Sequence, residues 1–219
     1  MATLRQGQLG LFNGKIGALV ISKWKDMYVG KSLPKPSSKK PSVPQLEQQI
    51  RFKLMIKFMR SFKSEIPFSY QKSPKNKTAM NMAIQYNLGN AITGIYPNYV
   101  IDYANVKLSQ PYERDTQIDN GLDISAIALP GRKVKVTWKT DENLDHPGTK
   151  LTDQAYVYFY HPGKQMFFTP SHPERSKLTL DITLPSIFVG ELHGWVFFLS
   201  EDRKLVSDTQ YLGKLTVIV

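Results

Sequence analysis

Between Leu46 and Phe62 the apolar residues Leu46, Ile50, Leu54, Phe58 and Phe62 recur every four positions, and Phe52, Met55, Ile56 and Met59 widen the stripe they make. At about 100° per residue this spacing predicts one long amphipathic helix, with Lys53, Lys57 and Arg60 gathered on the narrow remaining side. Ser42 with Gln45 has the spacing of a capping box, and Pro44 falls in the first turn, where its missing N–H costs nothing, so the helix is expected to start there. A second helix is predicted from Ala79 to about Ile92 behind a Thr78 cap, with Met80, Ala83, Ile84, Asn87, Leu88 and Ala91 along one side. Asn87 and Asn90 lie within this packed helix and are expected to hydrogen-bond a neighbouring backbone, because a buried amide without partners is costly.

The pattern on either side of the helices is that of strands. Asn13-Gly14 stands between the apolar runs 9–12 and 16–21, which predicts a tight hairpin, and Met27 to Lys31 adds a third strand. From Ser32 to Pro41 three prolines rule out regular helix and favour a semi-rigid, extended, basic strap. Beyond Tyr96-Pro97 apolar and polar residues alternate. Strands are predicted at 100–103, 106–109, 124–129, 133–139, 155–160, 165–169, 177–184, 194–200 and 211–219. In Lys133-Val-Lys-Val-Thr-Trp-Lys139 the alternation turns Val134, Val136 and Trp138 inward. The expected fold is α+β and mostly β: an N-terminal hairpin or meander and two helices, then an immunoglobulin-like or fibronectin type III-like β-sandwich. Residues 1–104 would form the basic hairpin, strap and two-helix region, and 105–219 the sandwich, with Trp138 as aromatic anchor in place of a disulfide.

Charge divides the chain along a similar line. Residues 1–80 carry 16 Lys/Arg against 3 acidic residues, whereas 81–219 carry 13 against 15. Such a basic part attracts nucleic acid, anionic surfaces or acidic proteins over long range. The candidate contacts for a polyanion or other partner are Lys35, Lys39, Lys40, Lys53, Lys57, Arg60, Lys72, Lys75 and Lys77. Aromatic interleaving is thin, Tyr28 and Phe52 being the available rings, so nucleic-acid binding here would be non-specific and salt-dependent. The apolar runs are far shorter than a membrane span, and the polar, glycine-punctuated start lacks the pattern of a secretory signal. The default expectation is cytoplasmic, with export by another route left open.

Several stretches in combination, Gly14-Lys-Ile-Gly17 with Ser22-Lys-Trp24, Gln45 to Phe52, Tyr86-Asn-Leu-Gly-Asn-Ala-Ile92, Tyr96-Pro97 with Ile101-Asp-Tyr103, and Ser207-Asp-Thr-Gln-Tyr-Leu-Gly213, resemble a bacterial family found mainly in Bacteroidetes, a domain of unknown function. The resemblance covers nearly the whole chain. It implies one shared architecture and brings no activity, substrate or site residue with it.

Catalytic chemistry leaves no local signature. The glycines at 7, 10, 14 and 17 miss the spacing of a phosphate loop, and the sequence has neither a Gly-x-Ser-x-Gly elbow nor a dinucleotide fingerprint. His146, His161, His172 and His193 lack metal-type spacing and an adjacent acidic helper, and three of the four precede proline in turn-like contexts. The acidic loop 141–145 lacks the order of a calcium-binding EF-hand, and the absence of cysteine removes thiolate chemistry. No catalytic residue, metal, cofactor or small-molecule substrate is therefore predicted. The functional expectation is a non-enzymatic interaction or assembly protein whose strap and helices dock a partner or a second copy, with nucleic-acid or other polyanion binding as the alternative.

Overall fold

In the computed structural model, residues 2–4, 13–24, 27–35, 38–70, 77–111, 113–140 and 145–219 are described. The chain forms two compact units, residues 1–42 and 43–219. The first is an antiparallel sheet of β1 (Ala2–Leu4), β2 (Gly14–Ile16), β3 (Leu19–Trp24) and β4 (Met27–Ser32), in the order β1-β4-β3-β2. The expected hairpin turn at Asn13-Gly14 is corrected. Gly14 pairs with Ile21 inside the ladder and the chain reverses at Gly17-Ala18, where Gly17 supplies the positive φ that a two-residue turn needs. Residues 9–12, assigned to the same hairpin from sequence, lie outside the described residues, as do Lys25 and Asp26.

In the second unit, α1 (Val43–Arg60) takes Pro44 in its first turn, α2 (Ile66–Ser69) is a single turn, and α3 (Ala79–Asn90) follows. Thr78 caps α3 by accepting a hydrogen bond from the Asn81 backbone N–H at 3.1 Å. The sequence carries the helix to Ile92, yet Ile92 already opens β5 (Ile92–Ile95), which pairs with β6 (Asn98–Ile101) around a cis Tyr96-Pro97 peptide. Of Asn87 and Asn90 only Asn87 is buried. Its Nδ2 donates to Ala83 O and Lys107 O at 2.9 Å each, and its Oδ1 accepts from Lys107 N at 2.9 Å. Asn90 is exposed and returns its amide to Tyr86 O.

Seven further strands complete the unit: β7 (Leu122–Leu129), β8 (Lys133–Lys139), β9 (Gln154–His161), β10 (Met166–Phe168), β11 (Thr179–Thr183), β12 (Gly190–Leu199) and β13 (Gln210–Val217). They form two antiparallel sheets, β10-β9-β12-β13 and β11-β8-β7. The strand expected at 106–109 is absent. That segment is held by side chains instead: Leu108 and Ser109 donate their N–H groups to Thr209 Oγ1 at 2.9 and 2.6 Å, and the Ser109 hydroxyl donates to Ser207 O.

The central strands β9 and β12 are buried on both faces, which is why they read as continuous apolar runs rather than alternating ones. Ala155, Val157 and Phe159 of β9, with Val196 and Phe198 of β12, share a core with Val134, Val136 and Trp138 of β8. The opposite face, Tyr156, Tyr158, Tyr160, Trp195, Phe197 and Leu199, packs on Met55, Phe58 and Met59 of α1, on Phe62 just beyond it and on α3. Each fully buried large side chain contributes roughly 1.5–3 kcal/mol. The helices and the sheet β10-β9-β12-β13 therefore share one core, to which residues on both sides of 104/105 contribute.

Candidate docking surface on the first helix

The helix α1 is fixed by its C-terminal half. Met55, Phe58, Met59 and Phe62 are buried, and Phe58 meets Tyr160 edge-on with ring centroids 4.9 Å apart. Leu46 and Ile50, members of the same predicted stripe, are only half-buried, and Phe52 is exposed. On the side opposite the buried residues stand Lys53, Lys57 and Arg60, spaced so that about 60° of arc contains all three. They are exposed and form no ion pair or hydrogen bond among the described residues. Arg51, on another flank, is engaged: its Nη2 donates to Leu88 O at 3.1 Å and its guanidinium lies 5.8 Å from the Tyr99 ring. An exposed apolar strip is found on the β5–β6 hairpin, where Ile95 is 80 % and Val100 57 % exposed.

The other predicted contact residues divide between the units. Lys35, Lys39 and Lys40 are exposed residues of the first unit. Lys77 belongs to the second, where its Nζ donates to Gln85 Oε1 at 2.8 Å. Lys72 and Lys75 lie outside the described residues. Lys53, Lys57 and Arg60 are thus the set gathered on one element.

A groove of about 300 Å³ runs beside the ridge, lined by Leu54, Lys57 and Phe58 of α1, residues of β6, Tyr103, Tyr160 and the β9–β10 turn. Its lining comes from segments far apart in sequence, so no local motif announces it. Burial, reinforced by the neighbouring Tyr103, pushes the Tyr160 phenol up to about 12. Burial likewise raises Tyr103, with the Glu191 charge adding to it.

Two polar clusters escaped the sequence reading because their members are distant along the chain. The Asp119 carboxylate accepts from the His146 backbone N–H at 3.0 Å and from Thr149 Oγ1 at 2.9 Å, and its Oδ1 lies 2.8 Å from His146 Nδ1. Burial opposes ionisation of Asp119, but the bonds from His146 and Thr149 outweigh it and hold the carboxyl below its ordinary value. The acid–histidine–hydroxyl composition resembles a nucleophilic triad, but the Thr149 hydroxyl bonds the carboxylate instead of the imidazole. The cluster closes the 146–149 turn and places no nucleophile on a base. His193 also has an acidic neighbour: Glu191 reaches its Nε2 at 3.6 Å, while its Nδ1 lies 2.6 Å from the Tyr211 hydroxyl. The expectation that none of the histidines has such a helper is corrected for both.

Nearby, Arg175 is buried with its guanidinium 4.0 Å from the Phe198 ring centroid. Its Nη2 donates to Asp119 O at 2.6 Å and lies 3.6 Å from Asp153. Trp138 donates its indole N–H to Arg175 O at 2.8 Å, so the predicted anchor is tied to this pin. Among the described residues no three His, Asp or Glu side chains converge as metal ligands, and no helix is long and apolar enough to cross a membrane. Residues 141–144 of the acidic loop lie outside the described residues.

A family model described as a family of unknown function, DUF6266, covers residues 11–213. The curated proteins contain no match.

Proposed function

We propose that this chain, which belongs to the DUF6266 family of unknown function, is a non-enzymatic assembly protein that docks onto other copies of itself through its basic N-terminal part. The observation that carries this reading is the ridge of Lys53, Lys57 and Arg60, left without ionic partners among the described residues on a helix that the core clamps from the opposite side. A rigidly mounted row of cations presents a fixed charge pattern to a partner. The rest of the chain does not repel such a row, since residues 81–219 carry 15 acidic against 13 basic side chains. In this reading the two sheets act as an immunoglobulin-like sandwich, anchored by Trp138, that presents the partner surface. The family resemblance implies a bacterial setting.

Light scattering at low and high salt tests the reading. The full chain should associate with rising concentration at low salt, added salt should weaken the association, and K53E/K57E/R60E should remain monomeric. A wild-type chain that stays monomeric at high concentration and low salt would overturn it. The second reading, polyanion binding, rests on the same ridge together with Lys35, Lys39 and Lys40. It requires gel shifts with unrelated nucleic acids that fade steeply with salt.

A further inference from the structure

We infer that the groove between α1, β6 and the β9–β10 turn is a binding site for an organic monocarboxylate with an apolar body. This goes beyond the docking role, since a small ligand can occupy the groove whether or not the chain self-associates.

The inference rests on what lines the groove. Its floor and walls are Leu54, Phe58, Val100, Ile101 and Pro162, with the tyrosine rings. Its polar side chains are Lys57, Gln165, Tyr99, Tyr103 and Tyr160, and none of these side chains makes a hydrogen bond among the described residues. No carboxylate lines it. Asp102, next in sequence to two lining residues, is committed elsewhere, its two carboxylate oxygens accepting from Ala104 N and Asn105 Nδ2. Lys57 can only donate, the raised tyrosines keep their protons at neutral pH, and Gln165 offers an amide N–H. Unpaired donors around one cation, on apolar walls, match an anionic head on an apolar body.

The same lining excludes a cationic ligand. A cationic head would meet Lys57 with no counter-charge. A volume near 300 Å³ lies at the lower end of the ~300–1,000 Å³ typical of small-molecule sites, which suits a ligand with one short apolar body. Gln165 is placed at the rim by a left-handed backbone, φ 55°, held by its N–H bond to His161 O at 2.8 Å. A non-glycine residue in that conformation is uncommon, and here it brings an amide to the groove.

The test is an amide chemical-shift titration of the full chain with hexanoate, phenylpropanoate and phenylbutyrate, against phenylbutanol and phenylbutylamine as uncharged and cationic analogues. At least one acid should bind with a Kd at or below about 1 mM, moving the signals of Leu54, Ile101 and Gln165. The alcohol and the amine should bind at least ~10-fold more weakly, and Lys57→Gln should weaken the acid by a similar factor, the loss of one charge-assisted hydrogen bond. Lys63→Gln, an exposed lysine outside the groove, should leave binding unchanged. A peptide ending in a free apolar residue, compared with its amide, separates a chain terminus from a free small acid as the source of the carboxylate. Failure of all three acids, shifts confined to other regions, equal binding of the alcohol, or indifference to Lys57→Gln would each overturn the assignment.

Discussion

Single side chains do more of the organising in this molecule than its apolar pattern foretells. Arg175, Asp119, Asn87 and Thr209 each tie together segments that no ladder joins, and each answers a specific need: a buried backbone group or charge must find a partner. Asn87 was legible because an amide in an apolar helix stripe demands bonds. Asp119 and Arg175 were not, since their partners sit at distances along the chain that carry no period. The Asp119 cluster has a measurable consequence. With its folded value held below the unfolded one, its contribution to stability is complete above the ordinary carboxylate range near ~4 and is lost as pH falls through the depressed folded value. Asp119→Asn should therefore lower the urea midpoint at neutral pH and flatten the acid limb of the stability profile below about pH 4. An acid limb as steep as that of the wild type would show that the carboxylate plays no such part.

At the scale of elements, legibility followed burial geometry. Strands with one wet face, such as β8, declared themselves by alternation, whereas β9 and β12, expected within the same alternating stretch, are buried on both faces and read as unbroken apolar runs. Of the β5–β6 hairpin, β6 overlaps the strand expected at 100–103, whereas β5 was missed because Ile92 continues the helical stripe of α3. For α1 the four-residue spacing identified the helix and its basic side but overestimated the buried stripe. The seat of α1 is its last two turns, where Phe58 lies within 6.5 Å of four aromatic rings. Phe58→Ala should cost roughly 3–5 kcal/mol in denaturant unfolding, the range for emptying a packed aromatic site. Phe52→Ala, on the exposed flank, should stay within about 0.5 kcal/mol of wild type. Equal costs at the two positions would mean that α1 packs through a different face. The groove escaped the sequence for a related reason, as its donors come from α1, β6, the segment after it, β9 and a hairpin turn, and only Lys57 belongs to a pattern visible in one stretch.

On the scale of the whole molecule, composition and topology divide the chain at different places. Charge changes near residue 80 and the apolar period changes near Tyr96, which together draw a boundary after the helices. The side chains of β9 and β12 draw another, because their tyrosines and Trp195 have the helices as their cover. Cutting at 104/105 would uncover Tyr156, Tyr158, Tyr160, Trp195 and Phe197 on one sheet face, a contiguous apolar surface of the kind that drives aggregation. It would also strand the Ser207–Thr209 hydrogen bonds that hold residues 108–109, since the segment would lose Asn87 and Tyr70 on its other side. Residues 43–219 expressed alone should therefore unfold in a single cooperative transition in urea, with coincident far-ultraviolet and tryptophan signals. Residues 105–219 alone should be insoluble or bind a hydrophobic dye without a cooperative transition. A soluble, cooperatively folding 105–219 fragment would show that the sheets stand without the helices, and would restore the boundary that charge and periodicity suggest.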